Sequence, residues 1–189
     1  MEQSFNMILK QKPAVFLDRD GVLCHENGHI TIPSEIEIFE YANECIARIH
    51  EKGYWAIVVT NQSGIARGIF TENEQKKANA YLIENTGVDG VYYCPHYLNG
   101  KIPQYMVECN CRKPKTGMID MACKDFPIDM SGSYMVGDRA SDILLGKAVG
   151  IKTVLLNSGY GINGLEKAVE FDYNYEDLRE FVKNLSYVR

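Results

Sequence analysis

Short apolar runs rich in β-branched residues recur along this chain, and a helical pattern follows each one. The runs are AVFL (14–17), WAIVVT (55–60), VDGVYYC (88–94), SYMVGD (133–138) and KTVLLN (152–157). The helical segments are IARIHEKG (46–53), ENEQKKANAYLIENTG (72–87), GMIDMACKDF (117–126), RASDILLGKAVG (139–150) and YEDLREFVKNL (175–185). Gly53 and Gly150 supply stop signals, and Thr71 with Glu74 three residues on has the spacing of a capping box. Strands alternating with helices imply βαβ units, and hence an α/β fold with a parallel sheet covered on both faces.

That architecture fits the length. At 189 residues the chain suggests one domain, residues 1–189, able to bury roughly 70% of its unfolded surface. No repeat or linker divides it. Apolar residues make up 46% and charged residues 24%, which argues against disorder. No apolar run is long enough to span a bilayer, and the opening MEQSFNMILKQKP lacks the apolar stretch of a signal peptide. A cytoplasmic protein is expected. The formal charge of -5 disfavours general binding to nucleic acid or an anionic membrane. An anionic ligand would need a local device, a metal or a few placed cations. No exposed apolar stripe is left over, so a monomer is expected.

Two stretches break the alternation. Residues 21–40 carry Asn27-Gly28, a hairpin signal, and residues 95–116 are too long for an ordinary connection. Ligands of open parallel sheets sit beyond the carboxyl ends of the strands. Both loops follow strands, so both are placed to wall a site.

Acidic residues gather at the strand ends. FLDRDGV (16–22) delivers Asp18 and Asp20 two positions apart, on the same side of an extended chain. Carboxylates that close repel unless a cation or proton lies between them, and Gly21 permits a sharp turn afterwards. GDRASD (137–142) puts Asp138 at another strand end and Asp142 one helical turn later. Taken singly, the first segment also describes a solvated turn and the second a helix N-cap. Converging carboxylates suit Mg²⁺, a hard cation that takes oxygen ligands. VVTNQSG (58–64) places Thr60 and Asn61 where a hydroxyl and backbone N–H groups can hold a phosphate oxygen, though a helix cap explains that segment equally well. CRKPK (111–115) concentrates Arg112, Lys113 and Lys115, a local positive field that alone would be a solvated face.

Six cysteines complete the pattern: three scattered ones, Cys24, Cys45 and Cys123, read as packing residues, and three lie in 94–111. Cys94-x-His96, twelve residues, then Cys109-x-Cys111 offers four soft or borderline ligands in two pairs, as a closed structural Zn²⁺ site requires. Such a zinc braces a loop rather than activating water, and this loop runs directly into Arg112 and Lys113.

DRDG, TNQSG, RKP and GDRASD, in this order, resemble the four motifs of the haloacid dehalogenase-like (HAD) phosphohydrolases, over nearly the whole chain. The zinc loop, together with TNQSGIARGIF and DGVYYCPH, is similar to a branch that acts on D-glycero-D-manno-heptose 1,7-bisphosphate. The neighbouring histidinol-phosphate phosphatases are the alternative, which GDRASD keeps open. The resemblance implies a Rossmann-like sheet without a separate cap domain, and an open site whose selectivity lies in the hairpin flap (about 21–40) and zinc loop (about 94–111). It implies a Mg²⁺-dependent phosphatase that removes the 7-phosphate of the heptose bisphosphate through an aspartyl-phosphate, leaving heptose 1-phosphate.

In that reading Asp18 is the nucleophile and Asp20 the general acid and base. Asp18, the Asp20 carbonyl and Asp138 bind Mg²⁺. Thr60 and Lys113 hold the phosphoryl oxygens, and Asp142 orients Lys113 or a metal water. Arg112 and Arg139 face the distal phosphate, and Asn61 and Ser63 the sugar hydroxyls. Two departures stand out: Cys24 where the family commonly has Asn, and Thr116 where Pro is frequent.

Overall fold

The structure, a computed structural model, describes residues 11–26, 36–165 and 169–188. Among them six parallel strands form one sheet in the order β3-β2-β1-β4-β5-β6. The strands are β1 (Ala14–Leu17), β2 (Trp55–Asn61), β3 (Gly90–Cys94), β4 (Tyr134–Gly137), β5 (Lys152–Leu156) and β6 (Tyr173–Tyr175). Every residue of β1 is fully buried, because this strand is central and helices cover both its faces. Its register sets Leu17 beside Val58 on one side and Val136 on the other, so β1 and β4 end within one residue of each other while β2 runs on to Asn61.

Side-chain alternation divides the core. Val15 and Leu17 pack with α1 (Ala42–Glu51), α2 (Glu72–Thr86) and α5 (Leu178–Asn184) through Ile46, Ile49, Leu82 and Phe181. Ala14 and Phe16 face α3 (Gly117–Asp125) and α4 (Ala140–Val149) through Met118, Ile119, Ala122 and Leu145. Burying each large side chain of this kind contributes about 1.5–3 kcal/mol.

Helix ends follow local chemistry. Thr71 Oγ1 accepts from Glu74 N–H while Glu74 accepts from Thr71 N–H, and Gly87 closes α2 at φ 79°. Gly150 closes α4 at φ 73°, where a Cβ would be strained. None of the described helices is long and apolar enough to cross a membrane.

The structure differs from the sequence expectations at several points. Residues 173–175 form an edge strand, and α5 begins only at Leu178, because the Asp177 side chain accepts from the N–H groups of Arg179 and Glu180. Cys24 and Cys45 are buried, but Cys123 is exposed on α3 and is not a packing residue. Residues 23–25 and 37–39 pair antiparallel through His25 N–H to the Glu37 carbonyl and Phe39 N–H to the Leu23 carbonyl, and the Asn27-Gly28 turn lies outside the described residues.

Candidate active site and metal centres

The carboxyl ends of β1, β2 and β4 lie on one side of the sheet, and Asp18, Thr60 and Asp138 stand at that rim. A cavity of about 350 Å³ opens there, walled by Asp18, Asp20, Thr60, Asn61, Ser63, Arg112, Lys113 and Arg139. All eight were singled out as catalytic or substrate-binding candidates. Glu26, Gln62, Gly64, Arg67, Ser141 and Tyr160 also line it.

Lys113 comes from the loop after β3, and its side chain is almost fully buried. Its Nζ lies 2.9 Å from Asp18 Oδ1 and 2.7 Å from Asp142 Oδ1, and donates to the Val59 carbonyl at 2.9 Å. Burial opposes the ammonium charge, yet Asp142 and Asp18 outweigh it and raise the Lys113 pKa above its ordinary value. The backbone there is held by Asn61, whose Oδ1 accepts from Lys113 N–H at 3.0 Å and whose Nδ2 donates to the Lys113 carbonyl at 3.2 Å. Asn61 thus uses its amide on the protein, which leaves less of it for a sugar hydroxyl than the sequence suggested.

Asp18, Asp138 and Asp142 present carboxylate oxygens within 4.8 Å of one another, and all three residues are buried. Asp138 Oδ2 accepts from Tyr160 N–H at 2.8 Å, while Oδ1 is buried without a hydrogen-bond partner. Burial, then the charges of Asp18 and Asp142, push Asp138 up to about 7. Asp142 rises to about 6, from burial against the opposing pull of Lys113. An orphaned buried oxygen amid clustered carboxylates is the arrangement a divalent cation relieves, so these residues fit Mg²⁺. Gly21 and Gly159 let the chain close over Asp138: a Cβ on either would fall within 2.5 Å of Asp138 Oδ2.

Asp20 is gripped by its neighbour. Arg19 Nε and Nη2 donate to Asp20 Oδ1 at 3.0 and 2.9 Å, and Nη2 also reaches Oδ2 at 2.9 Å. The fully buried Arg19 had no signal in the sequence beyond its place between two aspartates. Cys24 Sγ lies 3.5 Å from Asp20 Oδ1, and burial pushes the thiol pKa up.

On the opposite wall Arg139 pairs with Glu26 at 2.8 Å and lies 3.9 Å from the Tyr160 ring centre. One edge of its guanidinium is engaged by Glu26 at the base of the hairpin, and the side chain also lines the cavity. Arg112 donates to the His96 carbonyl at 3.2 Å and shares the Tyr97 ring with Arg67, at 5.1 and 4.5 Å. Arg67, in the SGIARG segment, was overlooked because its neighbours read as loop.

The second metal centre is compact. Cys94 Sγ lies 3.6 Å from Cys109 Sγ and 3.1 Å from Cys111 Sγ. His96 Nδ1 lies 3.7 Å from Cys94 Sγ and 3.3 Å from Cys111 Sγ. A tetrahedron with Zn–S of about 2.3 Å and Zn–N of about 2.0 Å has edges of roughly 3.5–3.8 Å. The Cys94–Cys109 and Cys94–His96 separations match, and the two to Cys111 need to open by only a few tenths of an ångström, so the cluster could bind zinc. Cys111 is pushed down to about 5, first by its hydrogen bond with Cys94, while Cys94 moves up for the same reason.

Residues 110–181 match the HAD-hydrolase-like family. The chain is 44% identical to the D-glycero-beta-D-manno-heptose-1,7-bisphosphate 7-phosphatase of Haemophilus ducreyi over 158 residues, which is 80% of this chain and 86% of that protein. It is 40% identical to a D-glycero-alpha-D-manno-heptose-1,7-bisphosphate 7-phosphatase of Photorhabdus laumondii, over 77% of this chain and 82% of that one. Among solved structures it resembles the D,D-heptose 1,7-bisphosphate phosphatase from B. bronchiseptica, complexed with magnesium and phosphate. There the TM-score is 0.80 at 26% identity, over 92% of this chain and 97% of that chain.

Proposed function

The chain belongs to the D-glycero-D-manno-heptose-1,7-bisphosphate 7-phosphatases of the HAD-like phosphoric monoester hydrolases, and from that premise we propose that it removes the 7-phosphate of this sugar bisphosphate, leaving heptose 1-phosphate. The observation that carries the mechanism is the buried juxtaposition of Asp18 with Lys113 at 2.9 Å, beside Asp138 Oδ1, which has no hydrogen bond and only the Arg139 Nε charge at 4.0 Å.

Asp18 attacks the phosphorus of the 7-phosphate and forms an aspartyl-phosphate, while Asp20 gives a proton to the departing sugar oxygen. Asp20 then takes a proton from the water that attacks phosphorus, releasing inorganic phosphate and restoring Asp18. The Lys113 ammonium and Thr60 hydroxyl hold the phosphoryl oxygens as charge spreads over them. Asp142 keeps Lys113 in place, and Asn61 fixes the Lys113 backbone. Arg112 faces the distal phosphate, where a guanidinium fork suits the anion, and Ser63 faces the sugar.

Asp18, Asp138 and the Asp20 carbonyl would hold Mg²⁺, which when bound offsets carboxylate charge and clamps the phosphoryl group. Cys94, His96, Cys109 and Cys111 would hold a structural zinc that steadies the run into Arg112 and Lys113. Residues 1–189 act as one unit, a cytoplasmic monomer acting on a small phosphorylated sugar.

Asp18→Asn tests the reading. Phosphate release from the bisphosphate should vanish while the circular dichroism spectrum and melting temperature persist, and an active Asp18→Asn protein would sink it. Parallel assays of both anomers and of histidinol phosphate should rank the heptose bisphosphate first.

A further inference from the structure

Thr60 and Gln62 repeat at the end of β2 the two-residue spacing of Asp18 and Asp20. Gln62 is 5% exposed. Its Nε2 lies 3.0 Å from Asp20 Oδ2 and 3.0 Å from Thr60 Oγ1. The amide presents its NH₂ edge to both partners, donating one N–H to Asp20 Oδ2 and the other to Thr60 Oγ1. Two consequences follow from that polarity. Thr60 Oγ1 accepts from Gln62, so its own O–H is left to donate elsewhere, toward the cavity that Thr60 lines. Asp20 is held from a second side, since Arg19 already grips it through Nε and Nη2.

We propose that Gln62 is a positioning residue of the phosphatase reaction: it sets the donor direction of Thr60 and the orientation of Asp20 together, so that phosphoryl binding and proton delivery to the leaving oxygen share one geometry. This rests on the roles given above to Asp20 and Thr60. Gln62 itself exchanges no proton and forms no bond to phosphorus.

The leaving group separates this role from simple structural support. A sugar alkoxide needs the proton from Asp20, whereas 4-nitrophenolate departs with little help. Gln62→Ala should lower kcat for the heptose bisphosphate roughly 10²-fold, with KM changed less than about twofold, and should lower turnover of 4-nitrophenyl phosphate at least about tenfold less. Gln62→Met, which keeps the volume without the N–H bonds, should behave like Gln62→Ala and stands in if the smaller side chain unfolds the protein. Gln62→Glu conserves shape but repels Asp20 and accepts the Thr60 O–H hydrogen bond, turning that donor away from the cavity, so it should be slower than Gln62→Ala on the sugar ester.

Equal losses on the two esters, or a Gln62→Glu protein faster than Gln62→Ala, overturn the assignment. An Asp18→Asn protein as active as wild type overturns the underlying reaction and this role with it. An inactive Asp18→Asn protein alongside variants of Gln62 indifferent to leaving group overturns the Gln62 role alone.

Discussion

Lys113 Nζ lies 2.7 Å from Asp142 Oδ1, and the two side chains are 1% and 0% exposed. A pair this dry is worth little against an apolar replacement but is costly to break from one side. Asp142 also accepts from Arg139 N–H at the start of α4. Asp142→Ala should therefore cost about 3 kcal/mol, the low end for a broken buried pair, because Lys113 keeps Asp18. Phosphate release should fall at least about tenfold, because Lys113 is no longer aimed. Asp142→Asn can still accept at the helix start, so it should lose less stability in urea unfolding than Asp142→Ala.

In the proposed site protons and Mg²⁺ would compete for the same carboxylates. Asp138 sits near 7 in the folded protein, from burial and then Asp18 and Asp142, well above an unfolded aspartate. The metal-free fold binds a proton that the unfolded chain has released, so its stability should decline as pH rises between about 4 and 7. Mg²⁺ reverses the penalty by supplying the missing positive charge. The rise in melting temperature on adding Mg²⁺ should thus be larger at pH 8 than at pH 5.5, with apparent affinity weakening as pH falls below about 7. An increment independent of pH would contradict this account.

Zinc, if it closes the four-residue cluster, should be present at one equivalent per chain on elemental analysis of protein purified without added metal. Its removal by a strong chelator should lower the melting temperature by on the order of 10 °C, since metal affinity is folding free energy for such a loop. Activity should fall as well, because the loop leads into Arg112 and Lys113. Cys109→Ser should reproduce both effects; a stable, active, zinc-free protein would remove the bracing role.

Asp177 caps α5, accepting from Arg179 and Glu180 N–H at 2.8 and 3.2 Å. The hydrogen bonds from the Arg179 side chain lead the causes that lower its pKa, with the Glu180 backbone bond also contributing. A carboxylate lowered in the fold adds stability above the unfolded pKa near 4, and that stability is lost as pH falls through the folded value. Asp177→Ala should cost about 1 kcal/mol at pH 7 and progressively less as pH falls below about 4, measured by urea unfolding across that range.

The central strands were readable because full burial on two faces leaves unbroken apolar runs, as AVFL in β1 illustrates. Local chemistry was equally visible where it is written within four residues, as in the Thr71–Glu74 box. The edge strand β6 was not, since its burial is slight and YNY carries no apolar run. Asp18, Asp20, Thr60, Lys113 and Asp138 were legible as strand-end or basic-loop residues. Contacts between them were hidden: nothing in the order of residues says that Asn61 would hold the Lys113 backbone 52 positions away. The pairing of Arg139 with Glu26 was hidden for the same reason, because the two lie 113 positions apart. Gln62 repeats the spacing of the aspartates and could have been found by parity.

The strand order has a consequence during synthesis. Strand β1 lies between β2 and β4, and Ala14 N–H donates to Ser133 Oγ across 119 positions. At roughly 5–20 residues per second, a ribosome takes on the order of ten seconds to cover that distance. Through this interval β1 can pair with β2 while its other edge stays open to any passing strand. Asp18, at the tip of β1, waits for Lys113 to emerge and longer still for Asp138 and Asp142. The nascent chain therefore holds a half-built sheet whose catalytic edge is its stickiest, and dependence on chaperones should be greatest just before β4 leaves the exit tunnel.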